Sequence, residues 1–195
     1  MNARAIASLG SGPHERLLAL AARSFRPFAE RHGYDLHLHT APVDASRPAP
    51  WSKIPILRDL LERYESVLWL DADLVIVDGR EDVPATDFMA LVDHAGHMPN
   101  TGVWLLRSSD RTRAFLDAVW AQEDLIDHRW WENAAVCRLL EDDAAGWSAA
   151  TDWLDPRWNV IPDVSVPQPR IRHYPGYKTR TRTVFMARDL LLRRR

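Results

Sequence analysis

The hydrophobic and polar positions of this chain fall into short apolar runs separated by helical stripes. Ala5 to Leu9 is an apolar run ending at Gly10-Ser11-Gly12-Pro13, which predicts a strand entering a loop, with Pro13 set for the first turn of a helix. From Glu15 to His32, Leu17, Leu18, Leu20, Ala21, Phe25 and Phe28 recur at helical spacing; Pro27 predicts a kink or interruption and Gly33 a stop. Tyr34 to Thr40 alternates, with Tyr34, Leu36 and Leu38 on one side and Asp35, His37 and His39 on the other, the pattern of a half-exposed strand. After a proline-containing loop over 41–50, Trp51 to Tyr64 carries Ile54, Leu57, Leu60 and Leu61 on the apolar face of a second helix.

Ser66 to Asp73 reads as a third strand. Its stretch from Val67 to Leu70 is continuously apolar, as in a parallel sheet covered on both faces. Further strands are predicted at Phe88 to Val92 and Val103 to Leu106, the latter introduced by a loop over 94–100 and Asn100-Thr101-Gly102. Helices follow at Thr112 to Gln122 and Glu132 to Leu140, and Trp153 to Pro169, with four prolines, reads mostly as extended loop. Ile6, Leu36, Leu68 and Val103 thus mark four core strands, at least three of them separated by helices. That order predicts an α/β fold, one Rossmann-like, mainly parallel sheet flanked by helices.

Composition bounds the chemistry. With 195 residues the chain is predicted to be one domain over 1–178 followed by a basic, leucine-containing tail over 179–195. Lys and Arg number 25 against 27 Asp and Glu, a net charge of -2, so nothing marks a general nucleic-acid binder. Cys137 is the single cysteine and no apolar run approaches the roughly 20 residues of a membrane helix, which points to a reducing, cytoplasmic location. The tail reads as a terminal helix with cations at its negative end, or as a peripheral membrane contact through its leucines and arginines. Among nine tryptophans, Trp51, Trp130, Trp131, Trp153 and Trp158 flank polar or turn-like segments, where an aromatic face could stack on a sugar or a base.

Two carboxylates, Asp71 and Asp73, interrupt the apolar run at the end of the third strand. Burying ionised acids without a partner costs several kcal/mol, on the order of the effective penalty for a buried ion, and a divalent cation would offset both. Two residues apart on a strand, they would face the same side. The plain alternative is a pair of turn aspartates bonded to nearby amides. His173, far along the chain, adds an imidazole, and carboxylates with one imidazole suit Mn²⁺ or Mg²⁺ better than a structural zinc. Lys53, in the first turn of its helix, is either a solvated surface cation or one reaching for an anionic ligand. Gly10-x-Gly12 begins a dinucleotide-binding fingerprint, but Glu15 stands where the third glycine belongs, so a Rossmann NAD site is not predicted.

Leu68-Trp-Leu-Asp-Ala-Asp73, Asn100-Thr-Gly102-Val, Trp158-Asn159 and His173-Tyr-Pro-Gly176-Tyr-Lys178, in that order, resemble metal-dependent nucleotide-sugar glycosyltransferases of the GT-A fold. The glycogenin and lipopolysaccharide α-galactosyltransferase family is similar in Asp-Ala-Asp and in a late His-x-x-Gly followed by lysine. The α-galactosyl and xylosyltransferase family is similar in Trp51-Ser-Lys53-Ile-Pro-Ile-Leu-Arg58 and in an acid-amide pair like Glu132-Asn133. The resemblance spans 5–178 and implies a nucleotide-diphospho-sugar transferase fold.

It also implies roles. The counterparts of Asp73 and His173 bind the metal, Mn²⁺ or Mg²⁺, and that of Asp71 meets both metal and ribose, with Ala72 between them in the donor site. Ser8 and Leu9 would hold the base, Lys53, Asn100 and Gly102 the donor, and Gly176 with Lys178 the diphosphate. Glu132 and Asn133 would lie beside the anomeric carbon. The implied reaction moves a sugar from a nucleotide sugar, UDP-linked, to an acceptor hydroxyl with retention. Two departures stand out: only Tyr177 separates Gly176 from Lys178 where two residues are usual, and Asn133 stands where glutamine is more usual. An aspartyl-phosphate phosphatase, from the apolar strand followed by Asp71-Ala-Asp73, and a catalytically silent nucleotide-binding module remain as alternative readings.

Overall fold

The computed structural model describes residues 3–94, 97–162 and 164–193. Positions 95 and 96 of the predicted loop, and Arg194 and Arg195 of the tail, lie outside the described residues. The elements run β1 (Arg4–Leu9), α1 (Glu15–His32), β2 (Tyr34–His39), α2 (Lys53–Leu61), β3 (Ser66–Leu70), β4 (Leu74–Ile76), β5 (Met89–His94) and β6 (Met98–Arg107), then α3 (Asp110–Trp120), α4 (Trp131–Asp142), α5 (Trp147–Ala150), β7 (Asp152–Trp153), β8 (Ile171–His173) and α6 (Thr179–Leu192).

Six strands form one sheet in the order β2-β1-β3-β6-β5-β7, and β4 pairs with β8 in a small second sheet. β1 lies parallel to β2 and β3, and β5 parallel to β7, while β6 runs antiparallel to β3 and β5, so three of the five pairings are parallel. The continuous apolar runs have a simple cause: period-two alternation sends successive side chains into two separate cores. Ile6, Leu68, Leu70, Val103 and Leu105 pack with Leu17, Phe25 and Phe28 of α1. Ala5, Ala7, Val67, Trp69, Trp104 and Leu106 pack on the other side with Leu57 of α2, Phe115 of α3 and Val136 of α4. Trp51 and Trp158 are core residues, whereas Trp130, Trp131 and Trp153 remain exposed.

Three local outcomes differ from the sequence reading. α1 runs unbroken through Pro27. Proline lacks the N–H that would bond the Arg23 carbonyl four residues earlier, and the Arg193 guanidinium donates to that carbonyl instead. The third strand ends at Leu70, so Asp71 and Asp73 lie in a turn rather than on one strand face. There the Asp71 N–H donates to Gly102 O at 2.9 Å and the Tyr174 N–H to Asp73 O at 3.1 Å. The 3₁₀ turn Ala49–Ser52 precedes α2, which stops at Leu61.

α6 packs on the α1 side, with Met186 and Leu190 in that core. Leu191 and Leu192 are exposed. No helix among the described residues is long and apolar enough to cross a membrane.

Candidate functional site

The end of β3 meets three other segments. Because β6 runs antiparallel to β3, with Leu70 opposite Val103, the start of β6 lies beside the carboxyl end of β3. The β4–β8 pairing sets Leu74 opposite His173, so the residue after Asp73 is clamped to a histidine from the far end of the chain. One ligand atom from each of Asp71, Asp73 and His173 falls within 4.8 Å of the others. Strand pairing, not sequence proximity, assembles the cluster.

The orientation of the His173 ring follows from its hydrogen bonds. The Gly102 N–H donates to Asn100 Oδ1 at 2.9 Å, and the same oxygen accepts from Asn159 Nδ2 at 2.8 Å. Asn159 therefore turns its carbonyl oxygen to His173 Nδ1, 2.9 Å away, and Nδ1 carries the hydrogen. Nε2 faces the two carboxylates, 3.3 Å from Asp73 Oδ1 and 3.8 Å from Asp71 Oδ2. An amide that fixes the tautomer and aims the free nitrogen is the usual support of a metal-binding histidine. Gly102 is needed for this packing: a Cβ there would lie 2.4 Å from His173 Cε1, 2.7 Å from Nδ1 and 2.8 Å from Asn100 Oδ1.

Asp73 is buried, and burial alone would raise its carboxyl. The His173 imidazole and the Arg182 guanidinium, 3.1 Å from Oδ2, outweigh that and hold it down at about 2. Asp71 is more open, and its Oδ1 accepts the Trp69 indole N–H at 2.6 Å.

Lys53 is not a surface lysine. Only 3% of its side chain is exposed, and its Nζ lies 3.2 Å from Asp71 Oδ1 and 2.7 Å from Glu132 Oε1. It also donates to Thr101 Oγ1 at 3.1 Å. Burial works against the ammonium, but Asp71 and Glu132 prevail and push its pKa up. Glu132 shifts up too, through burial that Lys53 only partly offsets. Among the described residues, the second oxygen of Glu132 is buried without a hydrogen-bond partner, as are Ser8 Oγ at the end of β1 and Arg182 Nε.

The remaining predicted residues divide. Ala72 is buried, and its Cβ would lie 3.2 Å from a Cβ placed on Gly10, so the β1 loop packs against the Asp71–Asp73 turn. Leu9 is half-buried. Asn133 spends its amide on the chain: Oδ1 accepts from Thr101 N–H at 2.8 Å and Oγ1 at 3.0 Å, and Nδ2 donates to Pro99 O at 3.2 Å. It braces β6 against α4. Gly176 has φ +76°, and Lys178, at the start of α6, is exposed and makes no ion pair among the described residues. Glu15, where a third fingerprint glycine would stand, accepts from the Gly12 N–H at 3.1 Å.

Several functional partners were invisible in the sequence. Arg182 reads there as part of a basic tail; Trp69, Thr101 and Asn159 lie inside the quoted motifs but carry no role of their own there. Only the strand pairing and the packing of α6 place them.

The donor set fits a divalent cation of the Mn²⁺ or Mg²⁺ kind: two carboxylates, one of them buried and ionised, and one imidazole whose Nε2 faces them.

No established family profile matches the chain. It is 30% identical over 112 residues to an uncharacterised α-1,2-galactosyltransferase of Schizosaccharomyces pombe, covering 54% of this chain and 28% of that protein. Over 122 residues it is 30% identical to a probable glycosyltransferase of Oryza sativa, covering 55% of this chain and 27% of the relative. The chain thus spans little more than a quarter of these curated relatives. In fold it superposes on a glycosyltransferase involved in glycosylation of the major capsid of PBCV-1, with TM-score 0.74 and 16% identity over 94% of this chain and 99% of that one. A Streptococcus pneumoniae glycosyltransferase gives TM-score 0.61 at 16% identity, over 96% of this chain and 60% of that one. The fold is that of GT-A-like glycosyltransferases.

Proposed function

We propose that this chain is a metal-dependent glycosyltransferase that moves a sugar from a nucleotide sugar, UDP-linked, to an acceptor hydroxyl with retention. The observation that carries the reading is the Asp71, Asp73 and His173 cluster at the carboxyl edge of the sheet, where ligands bind in such folds. Mn²⁺ or Mg²⁺ held by these residues would neutralise the charge that develops on a departing nucleoside diphosphate. The similarity to curated galactosyl- and glycosyltransferases supports the transferase reading over the aspartyl-phosphate alternative.

Each protein group has a task in this scheme. Asn159 keeps the Nδ1 hydrogen of His173 in place, so Nε2 stays available as a ligand. Lys53 fixes Asp71 and Glu132 at hydrogen-bond distances, a pre-set arrangement that needs no reorganisation during the reaction. Glu132, with one unpartnered oxygen, is the group we place beside the anomeric carbon, where a carboxylate stabilises oxocarbenium character or orients the acceptor hydroxyl. Asn133 serves by holding Thr101 and hence Lys53. Ser8 and Leu9 at the end of β1 take the base, Asn100 and Gly102 the donor, and Gly176 and Lys178 the diphosphate.

The test is calorimetric titration of UDP with and without Mn²⁺ into the wild-type protein and into Asp73→Asn and Asp73→Ala. Metal-dependent binding is expected in the wild type and its loss in both variants; unchanged affinity in them refutes the site. A screen of nucleotide sugars for Mn²⁺-dependent hydrolysis then identifies the donor.

A further inference from the structure

Arg182 already pairs with Asp73 through Oδ2, while the other oxygen, Oδ1, faces His173 Nε2 at 3.3 Å. Its Nη1 is 3.1 Å from Asp73 Oδ2 and 3.0 Å from His14 Nε2, and its side chain is only 14% exposed. The Nε hydrogen is buried without an acceptor among the described residues. The residue is held there by its helix: Met186 and Leu190 sit in the α1-side core, and the Tyr174 hydroxyl donates to the buried Asp189 carboxylate about two turns further on. No motif predicts this contact, and the function proposed above does not use it.

A guanidinium and a divalent cation cannot both take the same buried carboxylate without strong mutual repulsion, because like charges a few Å apart in a poorly solvated site are barely screened. A metal arriving alone must therefore break the Asp73–Arg182 pair and strand a desolvated guanidinium that already lacks one acceptor. A diphosphate arriving with the metal changes the balance. It offers oxygens in the fork geometry that guanidinium bonds best, close to Asp73.

We propose that Arg182 stands in for the metal on Asp73 and passes to the donor diphosphate when metal and nucleotide bind, so that the two bind synergistically. The proposal rests on the reading of Asp71, Asp73 and His173 as a metal site. In the empty protein the arginine holds the Asp73 carboxylate in place, and it opposes occupation by metal without nucleotide. By linkage, whatever nucleotide does for metal affinity, metal does equally for nucleotide affinity.

The experiment is Mn²⁺ binding followed by electron paramagnetic resonance and calorimetry, with and without saturating UDP, in the wild type, Arg182→Gln and Arg182→Lys. In the wild type UDP should tighten Mn²⁺ by about 5- to 150-fold, the usual range of coupling between sites. In Arg182→Gln, Mn²⁺ alone should bind several-fold tighter than in the wild type, and most of the coupling should vanish. Arg182→Lys keeps the charge, so Mn²⁺ alone should stay weak. Mn²⁺ affinity that is unchanged or lower in Arg182→Gln, with coupling intact, overturns the proposal; so does a lysine variant that binds Mn²⁺ alone as tightly as the glutamine one. Failure of the wild type to bind Mn²⁺ with or without UDP is a different result, and it takes down the metal-site reading itself.

Discussion

Lys53→Met is the perturbation whose cost the structure defines best. The wild-type ammonium is 2.7 Å from Glu132 Oε1, and the two side chains are 3% and 5% exposed. At an effective dielectric of about 20 that separation corresponds to roughly 6 kcal/mol of attraction, offset in part by the desolvation of both ions. Asp71 contributes less, since its side chain is 31% exposed and can draw on water once the lysine is gone. Methionine keeps most of the stem, so packing is largely preserved, and Glu132 is left as a buried acid with neither oxygen paired to a cation. Removing one partner of such a pair costs about 3–5 kcal/mol.

The loss should depend on pH with a definite sign. Burial already pushes the Glu132 carboxyl up, and without Lys53 it rises further. An acid whose folded pKa lies above its unfolded value of about 4.3 is stabilising when protonated, and that contribution is lost as pH rises through the folded pKa. The deficit of Lys53→Met should therefore be larger at about pH 8 than at about pH 5. Adding Glu132→Gln removes the buried charge and should recover at least about 2 kcal/mol of the loss. The assay is guanidinium unfolding of the single and double variants at both pH values, with midpoints compared at equal slope. A deficit below about 1 kcal/mol, a deficit greater at the lower pH, or no recovery in the double variant would refute the reasoning.

Three further outcomes follow from the same geometry. Gly102→Ala puts a methyl group within 3.0 Å of the His173 ring and of Asn100 Oδ1, so it should cost about 1–3 kcal/mol of overpacking in urea unfolding and weaken Mn²⁺–UDP binding. A variant that binds as tightly as the wild type would show that the ring does not need its present position. Asn159→Leu frees the Nδ1 hydrogen of His173 and should lower metal affinity about 10- to 100-fold in calorimetry. Cys137 is half-buried, its thiol pushed up to about 11 by burial first and then by Asp93 and Glu141, so at neutral pH it should react with a disulfide reagent far more slowly than free cysteine. A rate equal to that of free thiol contradicts this.

Much of the fold is written locally. Ile6, Leu36, Leu68 and Val103 mark their strands because apolar periodicity is a property of neighbouring residues, and Gly33, with φ 71°, ends α1 as its lack of a side chain allows. Asp71, Asp73, His173 and Lys53 are legible as candidates for the same reason: unpartnered charge beside apolar sequence asks for compensation. What compensates it is not local. The antiparallel direction of β6, the β4–β8 register that sets His173 beside Asp73, and the Asn100–Asn159–His173 chain all join residues far apart in sequence.

What the structure adds at single residues has the same origin. Pro27 predicts a kink or interruption because its missing N–H is a local fact, while the Arg193 donor to the Arg23 carbonyl comes from the other end of the chain. Lys53 left both a solvated and a ligand-seeking reading open until packing buried it between two acids. Asn133 follows Glu132 in the sequence, yet helical geometry sends the two side chains to different partners, Glu132 to Lys53 and Asn133 to Thr101. The sequence by itself determined which side chains carry charge and which stripes must be buried. The tertiary structure alone decided which charge meets which, because a pairing depends on distance in space, and strand register and helix packing set that distance.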